Sequence, residues 1–313
     1  MATLIAPCNH SPQEDAEALH KAFKGWGTDE NALIVILGHR NVYQRQQIRT
    51  AYEEIFQEDL VKKLESELTG DFERAVYRWI LEPADRDAVI ANVALKSGKN
   101  YYVIVEISSV LSPEELLAVR RAYLDRYKRS LEEDIASHTS GHLRQLLVGL
   151  VTSYRYTGDE INAKLAQSEA EILHEAIKEK KGSQEEAVRI LSTRSKTQLI
   201  ATFNYYREIH GTSITKKLLD EASDDFQKAL YTAIRCTTNH TKYYEKVLRD
   251  AIKRVGTDED ALSRVIVSRA EIDLKIISEV YYKRNSVLLE HAVAKETSGD
   301  YKNFLLTLLG KDD

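Results

Sequence analysis

The chain contains few of the residues that break helices or cross-link small folds. Its 313 residues include 4 prolines, 13 glycines and 2 cysteines. A β-sandwich or barrel has many turns, which commonly contain proline and glycine, and this chain has few of either. Ala, Leu, Glu, Lys and Arg, which dominate the composition, all favour helix. Cys8 and Cys236 are too few for a disulfide framework or a zinc site, which favours a reducing compartment. The composition therefore predicts an all-α protein of the cytoplasm.

Long apolar runs and a strong positive charge are absent as well. No run of about 18 apolar residues occurs, and the N-terminus lacks the basic region and apolar stretch of a signal peptide. The formal net charge is −5, with 30% charged and 43% hydrophobic residues. This balance suits a soluble globular protein and argues against a nucleic-acid binder or a membrane attachment driven by the protein's own positive charge. An anionic partner would need a bridging cation.

Internal repeats organise the chain. Four similar segments each begin at the same distance after a tyrosine. An arginine stands at a fixed distance before three of these tyrosines, and Leu111 takes its place before the tyrosine of the second repeat. The four anchoring tyrosines are Tyr52, Tyr123, Tyr206 and Tyr281. This spacing predicts four units of about 70 residues, which must pack together because so short a unit cannot bury all its apolar stripes alone.

The unit boundaries follow from the same alignment. We expect a short N-terminal segment over 1–14, and the four repeats over 15–83, 87–155, 169–236 and 244–310. The longest connector, over 156–168, separates the second and third repeats and predicts a division between two halves of the molecule. Helical periodicity within the first repeat indicates five short helices, with Thr28 and Asp29 as cap candidates before the second.

The loop before that second helix could hold a metal ion. Phe23-Lys24-Gly25-Trp26-Gly27-Thr28-Asp29 contains two glycines, which let the backbone turn tightly and direct its carbonyl oxygens to one point. Calcium prefers 6–8 oxygen ligands, and a carboxylate such as Glu67 could add to the carbonyls. Thirty-eight residues separate Thr28 from Glu67, and 38 separate Thr257 from Glu296 in the fourth repeat. The matched spacing predicts a calcium loop in each of these two repeats.

With the fourfold repeat, the motifs KGWGTDE, SELTG, HTSG and ETSGDY resemble the annexin family. The short N-terminus and the altered loops of the second and third repeats are similar to those of plant annexins. The resemblance implies a curved disc of four five-helix repeats, each wound right-handedly, with calcium loops on the convex face against phospholipid. It also implies two sets of metal ligands: the carbonyls of Phe23, Gly25 and Gly27 with Glu67, and those of Ile252, Arg254 and Gly256 with Glu296.

Departures from the family motif set limits on this reading. Arg254 stands where the family often has glycine, so a left-handed backbone there would cost about 1–2 kcal/mol and weaken the fourth loop. In the second repeat the residues 96–99 lack the glycine pattern and His138 replaces the acid; the third keeps Gly182 and Glu221. We expect no high-affinity calcium site in those two repeats.

Each candidate residue also has an ordinary explanation. Glu67 and Glu296 could be solvated helix ends, but the matched spacing favours calcium ligation. Trp26 could be a core residue, although its place between two glycines favours contact with lipid headgroups. Lys24 and Lys253 could be solvated or could touch lipid phosphate.

Other functions have weaker support. Asp87, Glu106 and Arg269 match polar residues that line a channel in the family, but internal pairing explains them equally well. His39 matches a histidine linked to peroxidase activity in some plant annexins, and a capping role explains it as well. Residues 188–190 resemble an actin-binding tripeptide, yet a helix interior predicts the same pattern.

A nucleotide-binding loop of the Gly-x-x-x-x-Gly-Lys type is missing, because Gly98-Lys99 has no earlier glycine at the required spacing and is followed by Asn100. Nucleotide hydrolysis therefore has no strong site in this sequence.

The sequence thus predicts calcium-dependent, peripheral binding to anionic phospholipid membranes by a cytoplasmic monomer or weak oligomer. A helical scaffold that binds proteins such as actin, or an enzyme of the peroxidase or nucleotide-hydrolysing type, remain the alternatives.

Overall fold

The computed structural model describes residues 1–24, 27–67, 70–98, 100–178, 183–221, 224–253 and 256–311, with the backbone alone at positions 67 and 221. Within these ranges the chain is helical and contains no β-strand. The helices of the described residues are α1 (Pro12–Ala22), α2 (Glu30–Leu37), α3 (Val42–Phe56), α4 (Leu60–Glu67), α5 (Asp71–Ile80), α6 (Pro83–Ser97), α7 (Tyr101–Val110), α8 (Pro113–Tyr127), α9 (Leu131–His138), α10 (Gly141–Thr152), α11 (Ala163–Ile177), α12 (Ser183–Thr193), α13 (Lys196–His210), α14 (Ile214–Glu221), α15 (Asp225–Lys253), α16 (Glu259–Arg269), α17 (Leu274–Asn285), α18 (Leu289–Glu296) and α19 (Gly299–Leu308).

The first repeat has the five helices that its periodicity predicts, α1 to α5. Side chains that precede α2 and α3 accept hydrogen bonds from the first N–H groups of these helices. Asp29 accepts a hydrogen bond from the Ala32 N–H at 3.0 Å, and Asn41 and Gln44 form a reciprocal capping box. Of the two cap candidates for α2, Asp29 is therefore the residue that caps.

α15 joins the last helix of the third repeat to the first helix of the fourth. Its helical geometry is interrupted at Asn239, where φ is −161° and ψ is 89°. The segment 225–253 contains no proline or glycine, so nothing in its sequence stops the helix before that kink. Counted as two segments on either side of Asn239, α15 completes five helices for each repeat.

The chain forms two compact units, one of residues 1–86 with 241–313 and the other of residues 87–240. The predicted division at the connector between the second and third repeats is therefore wrong, because both repeats belong to the second unit. Arg155 beside the connector shows why: its guanidinium donates to the carbonyls of Arg194 and Leu191. The connector is also shorter than expected, since Asn162 caps α11 and the helix starts at Ala163.

Trp79 belongs to the core of the unit that contains the first and fourth repeats. Its side chain is fully buried, and its indole N–H donates to the Leu37 carbonyl at 2.7 Å. The guanidinium carbon of Arg45 lies 3.7 Å from the centre of the Trp79 ring, and Arg45 pairs with Glu271 at 2.9 Å. The buried guanidinium thus links a helix of the first repeat to the fourth repeat.

Aromatic and charged contacts join the same two repeats elsewhere. The rings of Phe72 and Phe304 meet edge to face at 5.9 Å, and Arg78 pairs with Asp260 at 2.6 Å. Because the partners come from the first and the last repeat of the chain, only tertiary packing brings them together. The two repeats therefore share a core within this unit.

The repeated tyrosines and arginines have structural roles. Each anchoring tyrosine is at most 2% exposed. Arg40 forms a two-point ion pair with Asp15 at 2.7 and 2.8 Å, and Arg194 pairs with Glu169 in the same register. Arg269 pairs with Asp273 at 2.7 Å, which is the internal pairing that the sequence offered as an explanation.

Within the described residues, no helix combines the length and the apolar character that a membrane span requires.

Candidate functional site

The predicted loop of the first repeat follows α1, and its end is hydrogen-bonded to Ala22, the last residue of that helix. The N–H of Asp29 donates to the Ala22 carbonyl at 2.9 Å, which closes the loop. Gly27 has a φ of 102°, a conformation that L-residues rarely adopt, and no atom lies within 4 Å of where a Cβ would stand. Two residues of the predicted cup, Gly25 and Trp26, lie outside the described residues.

The loop of the fourth repeat closes in the same way. The Asp258 N–H donates to the Ala251 carbonyl at 3.0 Å, and the Asp258 carboxylate caps α16 through the Ala261 N–H. Gly256 has a φ of 80° with open space beside it. Arg254 lies outside the described residues. Two loops from the first and the last repeat thus have the same hydrogen-bonded closure and the same positive-φ glycine.

Apolar side chains hold the start of each loop in the core. Phe23 and Ile252, whose carbonyls the family resemblance assigns as ligands, both have side chains that are 8% exposed. A buried side chain fixes the backbone at its own position, so the first carbonyl of each predicted cup starts from an anchored residue. Ligation by these carbonyls remains a prediction.

The two predicted acids occupy matching positions. Glu67 is the last residue of α4 and Glu296 is the last residue of α18. The Glu67 side chain lies outside the described residues, whereas the Glu296 side chain is 36% exposed and has Lys295 Nζ at 3.9 Å. The Thr257 hydroxyl donates to the Glu296 carbonyl at 3.2 Å. The structure therefore brings the fourth loop and its acid together, as the matched spacing requires.

An acidic cleft beside Glu296 is a feature that the sequence reasoning missed. The cleft has a volume of about 400 Å³ and lies within the unit of the first and fourth repeats. Its carboxylates are those of Glu30, Asp71, Glu259, Glu296 and Asp300. Four of them stand in the first turns of α2, α5, α16 and α19, where the helix macrodipole favours negative charge. Acidic first turns were the available sequence signal.

The cleft concentrates negative potential next to the fourth loop, but it is no preformed metal cage. In the described part of the chain, no three His, Cys, Asp or Glu side chains are arranged to hold a metal ion. A cation would thus depend on backbone carbonyls for most of its ligands, which agrees with the loop-based prediction. The negative potential would still favour its approach.

The two predicted lipid-contacting lysines are exposed. Lys24 follows α1, and Lys253 ends α15 and donates from Nζ to Asn285 Oδ1 at 3.2 Å. Both stand at the loops described above, so their ammonium groups are available at the same surface features as Gly27 and Gly256. Contact with lipid phosphate remains a prediction for both.

In the described part of the second repeat, helix takes the place of this loop. α6 continues to Ser97, which corresponds to Trp26 in the repeat alignment, so helix replaces most of the segment that forms the loop of the first repeat. His138, in place of the acid, directs Nδ1 to the Asp134 carbonyl at 2.7 Å. In the third repeat, Gly182 and the Glu221 side chain lie outside the described residues.

The remaining candidates have local partners. His39 Nδ1 lies 3.0 Å from the Val35 carbonyl, one helical turn earlier. Ile190 is fully buried and Arg189 pairs with Glu186 at 2.8 Å, as expected for residues inside a helix.

Comparisons with known proteins agree with this architecture. The annexin family model matches residues 14–79, 86–150, 168–233 and 243–308. The chain belongs to the annexin family. It is 69% identical to Annexin-like protein RJ4 from Fragaria ananassa over the whole of both chains. This supports the predicted likeness to plant annexins.

Solved annexin structures are similar over nearly the whole chain. Annexin III has a TM-score of 0.92 at 35% identity, covering 100% of this chain and 98% of its own. A calcium-bound annexin (Sm)1 has a TM-score of 0.83 at 30% identity, covering 99% of this chain and 93% of its own. The prediction of four annexin repeats of five helices is therefore confirmed.

Proposed function

We propose that this annexin binds anionic phospholipid membranes in a calcium-dependent manner, as a peripheral protein of the cytoplasm. The observation that carries the proposal is the matched pair of closed loops in the first and fourth repeats, each followed by an acid after the same interval of 38 residues. The repeated motif supports one shared task, since backbone closure and a positive-φ glycine recur together at both places. Calcium-bound annexin (Sm)1 shows that a related chain takes up this ion.

The donor atoms at the fourth loop suit a hard cation. Backbone carbonyls and a carboxylate are oxygen ligands of the kind that calcium prefers. The Glu296 side chain is partly exposed at the end of α18, and the Thr257 hydroxyl ties that helix end to the loop. When bound, calcium would supply positive charge and open coordination positions for lipid phosphate.

Gly256 and Gly27 make these loops possible. Each permits a left-handed backbone that turns the chain back toward the following helix. Phe23 and Ile252 anchor the first residue of each loop, so the carbonyls that follow are presented from a fixed base. We assign the metal ligands to the carbonyls of Phe23, Gly25 and Gly27 with Glu67, and to those of Ile252, Arg254 and Gly256 with Glu296.

Charge explains why a cation would be obligatory. The chain carries a net charge of −5, and the acidic cleft adds local negative potential beside Glu296. An anionic membrane would repel this surface until the local acids are neutralised. Lys24 and Lys253 would then contact phosphate at the rim of each loop. We expect a monomer or weak oligomer.

Co-sedimentation with vesicles of phosphatidylserine and phosphatidylcholine tests the proposal. We expect pelleting in calcium and none in chelator. The double variant Glu67→Gln with Glu296→Gln should need at least about tenfold more calcium, because each substitution removes a charged ligand. Glu221→Gln in the third repeat is the matched control, since its position is equivalent but its loop lacks the Gly-x-Gly-Thr pattern.

Three results would contradict the proposal. Unchanged calcium dependence in the double variant, with unchanged far-UV circular dichroism, would show that the two acids are not ligands. Strong pelleting in chelator would assign attachment to basic residues. A wild-type protein that stays in the supernatant with calcium would favour a protein-binding scaffold or an enzyme.

A further inference from the structure

The unit formed by residues 87–240 contains neither of the two proposed calcium loops, but it has a candidate site of its own. A cavity of about 410 Å³ opens where α7 ends, α8 begins, α10 ends and α13 begins, with the connector over 156–159 along one side. Its volume falls within the range of small-molecule sites, about 300–1,000 Å³. Its lining combines apolar side chains such as Leu116 and Leu150 with hydroxyls and two cations, Arg155 and Lys196.

Both cations are held in place by carbonyls rather than by acids. Arg155 is 8% exposed and donates through its two η nitrogens to the carbonyls of Arg194 and Leu191, at 2.5 and 2.7 Å. Lys196 donates from Nζ to the Val110 carbonyl at 3.0 Å. Because an ammonium has three donors, this bond fixes the position of Lys196 and leaves donor capacity for a ligand.

The carboxylates of the lining have partners of their own. Glu115 Oε2 accepts the Ser112 N–H at 2.8 Å in a capping box, and Asp159 Oδ1 accepts the Thr197 hydroxyl at 3.2 Å. Burial lowers the pKa of Arg155 to about 10. Burial also lowers the pKa of Lys196, as does repulsion from Arg155, against a smaller opposing effect of Glu115. The two cations are therefore desolvated and repel each other.

The start of α13 adds positive potential beside Lys196. Lys196 and Thr197 are the first two residues of α13, which is 15 residues long and capped by Ser195. The first amides of a helix carry partial positive charge and lack partners within the helix. An anion at this place would thus meet two cations and a helix N-terminus, while its organic part would meet Leu116 and Leu150.

We propose that this cavity binds a small organic phosphate, a phosphate monoester whose phosphoryl oxygens accept hydrogen bonds from Lys196 and Arg155. Phosphate fits better than a neutral ligand because it relieves the repulsion between the two cations. The apolar lining distinguishes an ester from the inorganic ion, so the ester should bind more tightly. The alternative is that both cations only cap the carbonyls of α7 and α12, which predicts no response to phosphate.

The test uses the full chain in chelator at constant ionic strength. Inorganic phosphate and glycerol 3-phosphate are titrated by calorimetry and thermal unfolding, with chloride as the reference anion. We expect saturable binding and a rise in Tm. Lys196→Gln should weaken the affinity at least about tenfold, as expected for a lost charge-assisted hydrogen bond. Lys164→Gln is the control, because it makes the same charge change at an exposed position in α11.

A second measurement needs no variant. Glycerol 3-phosphate should protect Lys196, but not Lys164, from an amine-acylating reagent, with mass spectrometry reporting each site. Vesicles of phosphatidic acid form a separate arm: pelleting in chelator that Lys196→Gln abolishes would identify a lipid headgroup as the source of the phosphate monoester. Three results would overturn the proposal. The wild type does not bind glycerol 3-phosphate saturably, Lys196→Gln binds it with the same affinity as the wild type, or binding does not protect Lys196 from acylation. Because the calorimetric, thermal-unfolding and acylation arms contain chelator and no membrane, their results do not bear on calcium-dependent attachment.

Discussion

The fourth and second repeats differ at the turn between their first two helices. In the fourth, α15 ends at Lys253 and the Asp258 N–H closes a loop onto Ala251. In the second, α6 continues to Ser97 through the corresponding residues. Glycines with positive φ, Gly256 and Gly98, stand at the same alignment position in both. A positive-φ glycine alone therefore does not make the loop; the residues before it decide whether helix or loop forms.

The first and third repeats have a matching histidine–tyrosine cluster in which one side chain differs. His20 bonds the Tyr52 hydroxyl and stacks on Phe56 at 3.7 Å, while His174 bonds the Tyr206 hydroxyl and stacks on His210 at 3.7 Å. The arrangement is the same, but the third repeat has two imidazoles where the first has one. The geometry of this cluster is thus kept in both repeats, while the number of imidazoles in it differs.

Substitution of the glycines in the two loops should have the largest effect on calcium-dependent pelleting. Gly27→Ala combined with Gly256→Ala should raise the calcium needed for vesicle pelleting at least about tenfold, because alanine resists the positive φ that shapes each loop. Each substitution should also cost about 1–2 kcal/mol of stability. Gly98→Ala is the matched control, since it has positive φ and open surroundings but no loop. Equal effects of all three on pelleting would show that the glycines act only on stability.

Acid stability sharpens the comparison of the first and third repeats. Burial lowers the pKa of His174, and the nearby His210 lowers it further. The unfolded chain then takes up the proton first, so stability is full at neutral pH and is lost as the pH falls below about 6.5. His210→Phe, which copies the first repeat, should reduce the loss of Tm between pH 7.5 and 5.5 by a few degrees. An unchanged pH profile, measured by thermal unfolding, would contradict the assignment.

Fluorescence of Trp26 gives a smaller but more local signal. We expect its emission to shift to the blue only when calcium and acidic vesicles are both present, because an indole favours the headgroup region. The difference between the wild type and Trp26→Phe isolates Trp26 and leaves the buried, hydrogen-bonded Trp79 intact. If the difference spectrum is already blue in the free protein, Trp26 is a core residue.

One variant of the second repeat is expected to have no effect on calcium-dependent pelleting. His138→Glu restores an acid at the end of α9, yet it should leave the calcium dependence of pelleting unchanged, because α6 occupies the place of the loop. Pelleting curves for this variant and the wild type should overlay. A gain in calcium sensitivity would mean that the acid, and not the loop, is limiting in the second repeat.

Local features of the fold could be predicted from the sequence because they depend on neighbouring residues. Periodicity predicted α1 to α5, and residue type predicted Thr28 or Asp29 as the cap of α2, of which Asp29 caps. The division into units could not be predicted, since it depends on pairings such as Phe72 with Phe304. The length of a connector contains no information about such contacts, and the longest connector lies inside one unit.

The candidate site was predictable in part for the same reason. The matched spacing predicted that loop and acid meet, and the Thr257 hydroxyl lies 3.2 Å from the Glu296 carbonyl. The acidic cleft unites the starts of four helices from two repeats, so the sequence contains the acidic first turns but not their convergence. The cavity at Lys196 likewise depends on how α7, α8, α10 and α13 meet.

A crystal structure of the protein grown with calcium would test the central claim most directly. We expect ions at the first and fourth loops, about 2.3–2.6 Å from carbonyl oxygens and from the carboxylates of Glu67 and Glu296. No ion should lie beside Gly98 or His138. Ions bound elsewhere, with both of these loops empty, would contradict the account.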